Sequence, residues 1–370
     1  MNILFAAGGT GGHINPALSV AQEIRSRCPD AKILFVGTKD KMEATLVPKA
    51  GFDFATIDIT GFQRSLAPSD ILYNLGTLRR LLFVTGQCKK IIGEFKPDVA
   101  VGFGGYVSGP VLRTAHQMGV KIALHEQNAF PGKTNIALSR YADSVMLTYP
   151  GAADHLKSAK EPIHTGLPVR TEILTADREE ARKKLRLPAD RLLVLSTGGS
   201  LGAEAINLAM CRIIPAYADR MDFVHGCGKA GKWMLDKLKE NGFDPDGTPG
   251  VTVSEYIYDM ATYMAAADLV ISRAGASSLA EIQALGKAAV MIPYPYAAEN
   301  HQYYNAKALA DRDAGIVIEQ KDLTEEKLSA ILDDLLASPE TYRRMGRNAR
   351  AMAKSDAQKH IADIVLSLIQ

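Results

Sequence analysis

Two glycine-rich turns constrain this chain more than any other feature. Residues 1–7 (MNILFAA) run into GGTGGH at 8–13, and residues 192–197 (LLVLST) run into GGSLGA at 198–203. Each is a short apolar run that stops at glycines and then enters a helical pattern. A buried parallel strand hands the chain to a helix in this way at the carboxyl edge of a sheet. Backbone N–H groups point outward there, and the helix dipole favours anions. One such turn in each half of 370 residues predicts two nucleotide-type domains facing one cleft, a layout for joining two substrates.

Strand-like runs alternate with helical patterns along the whole chain. Residues 33–36, 99–101, 122–124 and 145–147 are buried-strand candidates in the first half; 192–196, 223–225, 251–253, 269–271 and 290–292 serve the second. This alternation predicts an α/β protein with parallel sheets covered by helices on both faces. GLPVRTE (166–172) reads as the linker, and Ile361, Ile364, Val365 and Leu368 have the spacing of a final amphipathic helix. DVAVGFGGYVSGP (98–110) and DLVISRAGASSLAE (268–281) form a second matched pair, through duplication or through the demands common to strand-to-helix turns.

Composition narrows the class. An apolar fraction of 47% with 23% charged residues belongs to a globular protein, and a net charge of +2 gives no reason to expect nucleic acid. Cys28, Cys88, Cys211 and Cys227 lack CxxC spacing, which fits a reducing cytoplasm better than disulfides or zinc. Met1 leads straight into a strand without a basic leader, and no apolar run is long enough to cross a bilayer. The expectation is a protein that is soluble or held at a membrane surface.

The familiar glycine codes fit poorly. From Gly9 the chain reads GTGGHI, so Ile14 takes the third glycine position of a dinucleotide fingerprint, and Val36-Gly37-Thr38 supplies no acid for a ribose. PGKT (131–134) resembles the tail of a phosphate loop, but Gln127 stands where its first glycine belongs; Lys133 remains a possible phosphate contact. SRAGASSLAEI (272–282) is more informative. Arg273 closes a strand, and Glu281 is placed in the first helical turn, where a carboxylate can accept both hydroxyls of a ribose. Ser278 and Glu281 also have capping-box spacing, which leaves Glu281 a purely structural alternative. In PYPYAAENHQYYNA (293–306), Asn300, His301 and Gln302 either grip sugar hydroxyls or cap the helix.

GGTGGHINPA (8–17), GGYVSGP (104–110), HEQN (125–128), GLPVR (166–170), GGSLGA, SRAGASSLAE and ENHQYYNA occur in this order. Together they resemble the MurG family of UDP-N-acetylglucosamine transferases, which convert lipid I to lipid II in bacterial peptidoglycan synthesis, a step tied to cell shape and division. The resemblance implies a GT-B glycosyltransferase fold of two Rossmann-like domains. An acceptor domain over 1–165 would be joined by the C-terminal helix (352–370), and a donor domain would cover 166–351. It implies donor contacts at Thr10, Gly11, Gly12, Asn128, Arg170, Ser200 and Ile257, the last through its backbone to the uracil. Ala276, Ser277, Ser278, Leu279, Ala280 and Glu281 would wrap the ribose and phosphates, and Gln302 would hold the GlcNAc. Gly104, Gly105, Tyr106 and Ser108 would cradle the acceptor diphosphate, unless those glycines serve only close helix packing.

The implied reaction is an inverting displacement at C1 of GlcNAc by the C4 hydroxyl of N-acetylmuramic acid. Arg170 and the helix after Gly202 would stabilise the departing diphosphate, with no metal and no cofactor. His13 leads as the general base because its intrinsic pKa suits neutral pH; capping its helix is the alternative role, and Glu126 and His125 are second choices. Between 66 and 96, Ile71, Leu72, Leu75, Leu78, Leu81, Leu82 and Phe83 are interleaved with Arg79, Arg80, Lys89 and Lys90. This is either a core helix with a basic side or the face that meets an anionic membrane, peripherally on the cytoplasmic side, where the lipid-linked acceptor resides. Another GT-B transferase, an epimerase of the same fold and a non-catalytic UDP-GlcNAc binder are the competing readings.

Overall fold

The structure, a computed structural model, describes residues 1–59, 83–188 and 190–369. It divides into two compact units, one made of Met1–Pro168 with Asp356–Gln370 and the other of Val169–Ser355.

The first unit is a seven-stranded parallel sheet of β1 (Asn2–Ala6), β2 (Lys32–Gly37), β3 (Asp53–Thr56), β4 (Val99–Gly102), β5 (Lys121–Glu126), β6 (Ser144–Leu147) and β7 (Ile163–His164). The strands lie in the order β3-β2-β1-β4-β5-β6-β7, with Ile3 level with Ile33 on one side and Val99 on the other. Successive residues of a strand face opposite sides, so the continuous apolar run of β1 feeds two cores. Ile3 and Phe5 pack with the helix Gly11–Arg27, while Leu4 and Ala6 pack with the helix Gly105–Gln117. The final helix, Ala357–Ser367, returns to the first of these cores. Its Ile361, Ala362 and Val365 are buried beside Ile14 and Ala17, and Arg27 is ion-paired with Asp363 at the rim.

The second unit is a six-stranded parallel sheet of β8 (Leu193–Thr197), β9 (Asp222–Gly226), β10 (Val251–Ser254), β11 (Leu269–Ser272), β12 (Ala288–Met291) and β13 (Ile316–Val317). Its order is β10-β9-β8-β11-β12-β13. Val194, Phe223, Leu269, Ile271 and Val290 form its core with the helices Glu204–Tyr217 and Glu325–Ala337.

All nine strand candidates fall on strands, as does the run that leads into the first glycine turn. The edge strands β3, β7 and β13 escape a reading based on apolar runs because they are short and incompletely buried. The apolar and basic stripe lies outside the described residues at Ile71, Leu72, Leu75, Leu78, Arg79, Arg80, Leu81 and Leu82. Phe83, Lys89 and Lys90 fall on a helix over 83–95, and all three are exposed.

Candidate active site

In an open parallel sheet, ligands collect at the carboxyl edge where the strand order reverses, because the flanking loops diverge to opposite faces and leave a crevice. In the first unit the reversal lies between β1 and β4, and in the second between β8 and β11. The turns that follow these strands are GGTGGH and FGGYVSGP in one unit, GGSLGA and RAGASS in the other. Both motif pairs found in the sequence therefore bracket a switch point.

In the first unit the two turns are pressed together. Gly105 has φ +80°, and a Cβ built there would stand 2.5 Å from the carbonyl oxygen of Gly8, so no larger residue fits. His13 occupies the first turn of the helix Gly11–Arg27, with Thr10 as the N-cap residue. Its Nδ1 lies 3.2 Å from Gly8 O and 3.3 Å from Thr10 Oγ1. A carbonyl can only accept, so the contact with Gly8 O places a proton on Nδ1. The N-cap residue Thr10 makes no side-chain cap bond of its own, and His13 ties the helix start to the turn through Gly8 O and Thr10 Oγ1. Gly11 and Gly12 open the helix and are half-exposed.

Three assignments in this unit are corrected. Ser108 is fully buried and its single hydroxyl proton is shared between Ala6 O at 2.8 Å and Gly104 O at 2.7 Å; it ties β1 to the fourth-strand turn and is not placed to meet a diphosphate. Glu126 is also buried. One oxygen accepts from Asn128 N and Nδ2, the other from Gly132 N and Asn135 Nδ2, and burial raises its pKa against the pull of those donors. It is a loop clamp, without the exposure a general base requires. His125 donates from Nε2 to Gly166 O at 2.9 Å, and burial pushes its pKa down to about 4, so it too is structural. The Gly132 amide of PGKT is held by Glu126, and Lys133 starts a short helix. What remains accessible is the uncapped N-terminus of the helix Gly105–Gln117, preceded by Gly104 with φ +87° and carrying Tyr106 over Gly9.

In the second unit, Gly202 and Gly228 are packed so closely that a Cβ on either would fall about 2.2 Å from the other turn's backbone. Beneath them runs a buried polar chain. Ser196 Oγ meets His225 Nδ1 at 2.7 Å, His225 Nε2 reaches Asn207 Oδ1 at 3.1 Å, and Asn207 Nδ2 donates to Cys227 O at 2.9 Å. Burial holds the His225 pKa down to about 3, which keeps the chain neutral. Ser200 is exposed on the turn, four residues before the helix Glu204–Tyr217, whose first residue is an acid.

The helix Ala276–Leu285 offers the better anion site. It has neither an acid in its first turn nor a side-chain cap, so the N–H groups of Ala276, Ser277 and Ser278 point outward unpaired within the helix. Glu281 sits in the second turn, not the first. Since Gly275 is the N-cap residue, Ser278 and Glu281 cannot form a capping box. Leu279 and Ala280 are buried. The Glu281 carboxylate instead accepts from Arg170 Nε at 2.6 Å, an ion pair that raises the Arg170 pKa. Two groups expected to contact different parts of the donor are thus each other's partners.

Gln302 is a buttress as well as a candidate ligand group. Its Oε1 accepts from Ala274 N at 3.2 Å and Tyr294 N at 3.0 Å, joining the turns after β11 and β12 and leaving Nε2 as the donor. Just before it, Glu299 and Asn300 both adopt positive φ (49° and 53°), a strained pair that aims this turn. Neither Asn300 nor His301 caps the helix through its side chain; His301 Nδ1 lies 2.7 Å from Ala298 O. Arg273 is a structural tie from β11 to Ile292 O, Pro293 O and Gln320. Ile257 buries its side chain under Gly226 between the exposed Tyr256 and Tyr258, and among the described residues no hydrogen bond takes up its backbone. Among the described residues no three His, Cys, Asp or Glu side chains converge as metal ligands.

Comparison with known proteins agrees with this geometry. Residues 3–147 match the glycosyltransferase family 28 N-terminal domain and residues 193–361 the glycosyltransferase family 28 C-terminal domain. The chain is 43% identical over 99% of both lengths to a UDP-N-acetylglucosamine--N-acetylmuramyl-(pentapeptide) pyrophosphoryl-undecaprenol N-acetylglucosamine transferase of Desulfitobacterium hafniense (strain Y51). It is 42% identical, over 100% of both, to the protein of that name from Thermoanaerobacter sp. (strain X514). The crystal structure of Acinetobacter baumannii MurG superposes with a TM-score of 0.79 at 30% identity, covering 99% of each chain.

Proposed function

The chain belongs to glycosyltransferase family 28, and from that premise we propose how its residues carry out the transfer. It is a UDP-sugar glycosyltransferase that moves N-acetylglucosamine from UDP-N-acetylglucosamine to lipid I, giving lipid II in peptidoglycan synthesis. One observation carries the assignment of roles: in each unit the paired glycine turns bracket the switch point of the sheet.

The second unit holds the donor. The open N-terminus of the helix Ala276–Leu285 receives the diphosphate, helped by Arg170 and the Ser200 turn; Glu281 receives the ribose diol, Ile257 the uracil through its backbone, and Gln302 Nε2 the sugar. For the diol to bind, Arg170 must yield part of its hold on Glu281, and the guanidinium is then directed to phosphate. The first unit receives the acceptor, its diphosphate at the uncapped helix after Gly104 and Gly105, beside Tyr106. Thr10, Gly11, Gly12 and Asn128 complete the surroundings of the reacting sugar.

His13 Nε2 takes the proton from the C4 hydroxyl as that oxygen bonds to C1. The bond from C1 to the diphosphate breaks with its electron pair, and UDP leaves with its new charge on the helix N-terminus and Arg170. Peripheral attachment to an anionic membrane surface on the cytoplasmic side follows from the acceptor's lipid and from the basic, apolar segment around Phe83. No helix among the described residues is long and apolar enough to cross a membrane. Incubating the full chain with radiolabelled UDP-N-acetylglucosamine and a short-chain lipid I analogue tests the reaction; absence of a labelled disaccharide product overturns it. Co-sedimentation with anionic vesicles but not neutral ones tests the attachment.

A further inference from the structure

Behind the first glycine turn lies a carboxylate that no motif predicts. Glu43, at the start of the helix Glu43–Lys49, is completely buried. Its Oε1 accepts from Thr38 N at 3.1 Å and Thr38 Oγ1 at 2.7 Å, and its Oε2 accepts from Gly9 N at 3.2 Å. The surroundings are shaped to admit it: a Cβ on Gly8 would lie 2.8 Å from Oε1, and one on Gly37 would lie 2.5 Å from Cγ.

The Gly9 N–H and the Gly8 C=O belong to one peptide group, and that carbonyl is the partner of His13 Nδ1 at 3.2 Å. We propose that Glu43, the Gly8–Gly9 peptide and His13 form a relay in which Glu43 is the positioning residue for the base. The carboxylate pins the planar peptide through its N–H and polarises it, which makes the carbonyl a stronger acceptor. The carbonyl then fixes the proton on Nδ1, so that Nε2 is the ring nitrogen that acts as the base. When Nε2 takes its proton, the imidazolium donates from Nδ1 to a carbonyl already turned towards it by a negative charge. A carboxylate bonded directly to a histidine does the same work over a shorter path. Around the ring stand Thr10 and the backbone of Gly104 and Gly105, with Tyr106 over Gly9 and Glu43 behind the turn. The same contact occupies the Gly9 amide, which is therefore not offered to a phosphate.

The kinetic part rests on the transfer reaction proposed above; the tautomer does not. In the full-length chain labelled with ¹⁵N-histidine, His13 is assigned by the signals lost in His13→Gln. The wild-type neutral ring is expected as the Nδ1–H form; a neutral ring protonated on Nε2 overturns the relay without any variant. In Glu43→Gln the amide oxygen keeps both Thr38 bonds and the NH₂ faces the Gly9 N–H, so only the peptide link breaks. Expected are a mixed tautomer, a lower His13 pKa and a kcat reduced about tenfold at unchanged donor KM. Thr38→Val removes a buried hydrogen bond to Glu43 and spares the link, so it should lower Tm while leaving the His13 signals and kcat alone. Glu43→Gln with wild-type His13 signals, or Thr38→Val with equally altered ones, sinks the relay. A wild-type chain with the Nδ1–H tautomer but no transferase activity would instead refute the function and leave the relay standing.

Discussion

The switch points of the two units share a topology and differ in what fills the space behind the glycines. In the first unit a carboxylate stands behind the turn: Glu43 holds the Gly9 amide and the Gly8 carbonyl holds His13, while the helix N-terminus at Gly11 carries no side-chain cap. In the second, a neutral chain through His225 supports the turns from below, and the helix N-terminus at Ala276 stays open beside the Arg170–Glu281 pair. A negative charge behind the turn suits proton transfer, whereas open amides without a nearby first-turn acid suit a diphosphate. On the proposed roles one strand-to-helix device serves two chemistries, and side chains outside the glycine motif distinguish the two turns.

The contrast is broken most forcefully at His13. His13→Ala is expected to lower kcat about 10²- to 10⁴-fold with little change in the KM for UDP-N-acetylglucosamine, measured by steady-state kinetics. Equal turnover would take the proton-transfer role away from the first unit. Glu281→Ala should act on the other side of the comparison. Losing a charge-assisted bond to the diol raises donor KM about 10- to 100-fold, with the smaller effect on kcat.

Acid should affect both units. His125 and His225 have pKa values lowered by burial to about 4 and about 3, so each binds fewer protons folded than unfolded. Their stabilising contribution is complete above the unfolded pKa of about 6.5 and is lost as pH falls towards the folded values. Tm measured from pH 7 down to pH 4 should therefore decline, and His225→Gln should flatten the decline. The smallest effect is expected from a chelator. EDTA should leave turnover unchanged if, as proposed, helix amides and Arg170 stabilise the leaving diphosphate; activity lost to EDTA and restored by one specific ion would transfer that task to a metal.

The central strands were legible because β1, β4, β8 and β11 are buried on both faces and read as unbroken apolar runs. β3 and β13 carry no such run, since an edge strand has one neighbour and keeps partly exposed residues. Glu126 and Ser108 were misread for a related reason. Their residue types suit catalysis and binding, and only burial together with their partners shows that they are engaged internally. Glu43 left a faint trace: β2 ends without the acid a nucleotide fold usually places there, and the next helix supplies one that turns inward.

By itself the amino-acid sequence determined the alternating parallel architecture, the two glycine-turn pairs and the helical pattern at the C-terminus, because these depend on local periodicity and on backbone conformations open to glycine. Tertiary structure alone decided which residues of the last helix enter the first core, that Arg170 pairs with Glu281, and that a buried carboxylate stands behind His13. Those facts join residues far apart in the chain, and a hydrogen bond between them leaves no periodic mark: it exists only once packing has brought donor and acceptor within about 3 Å.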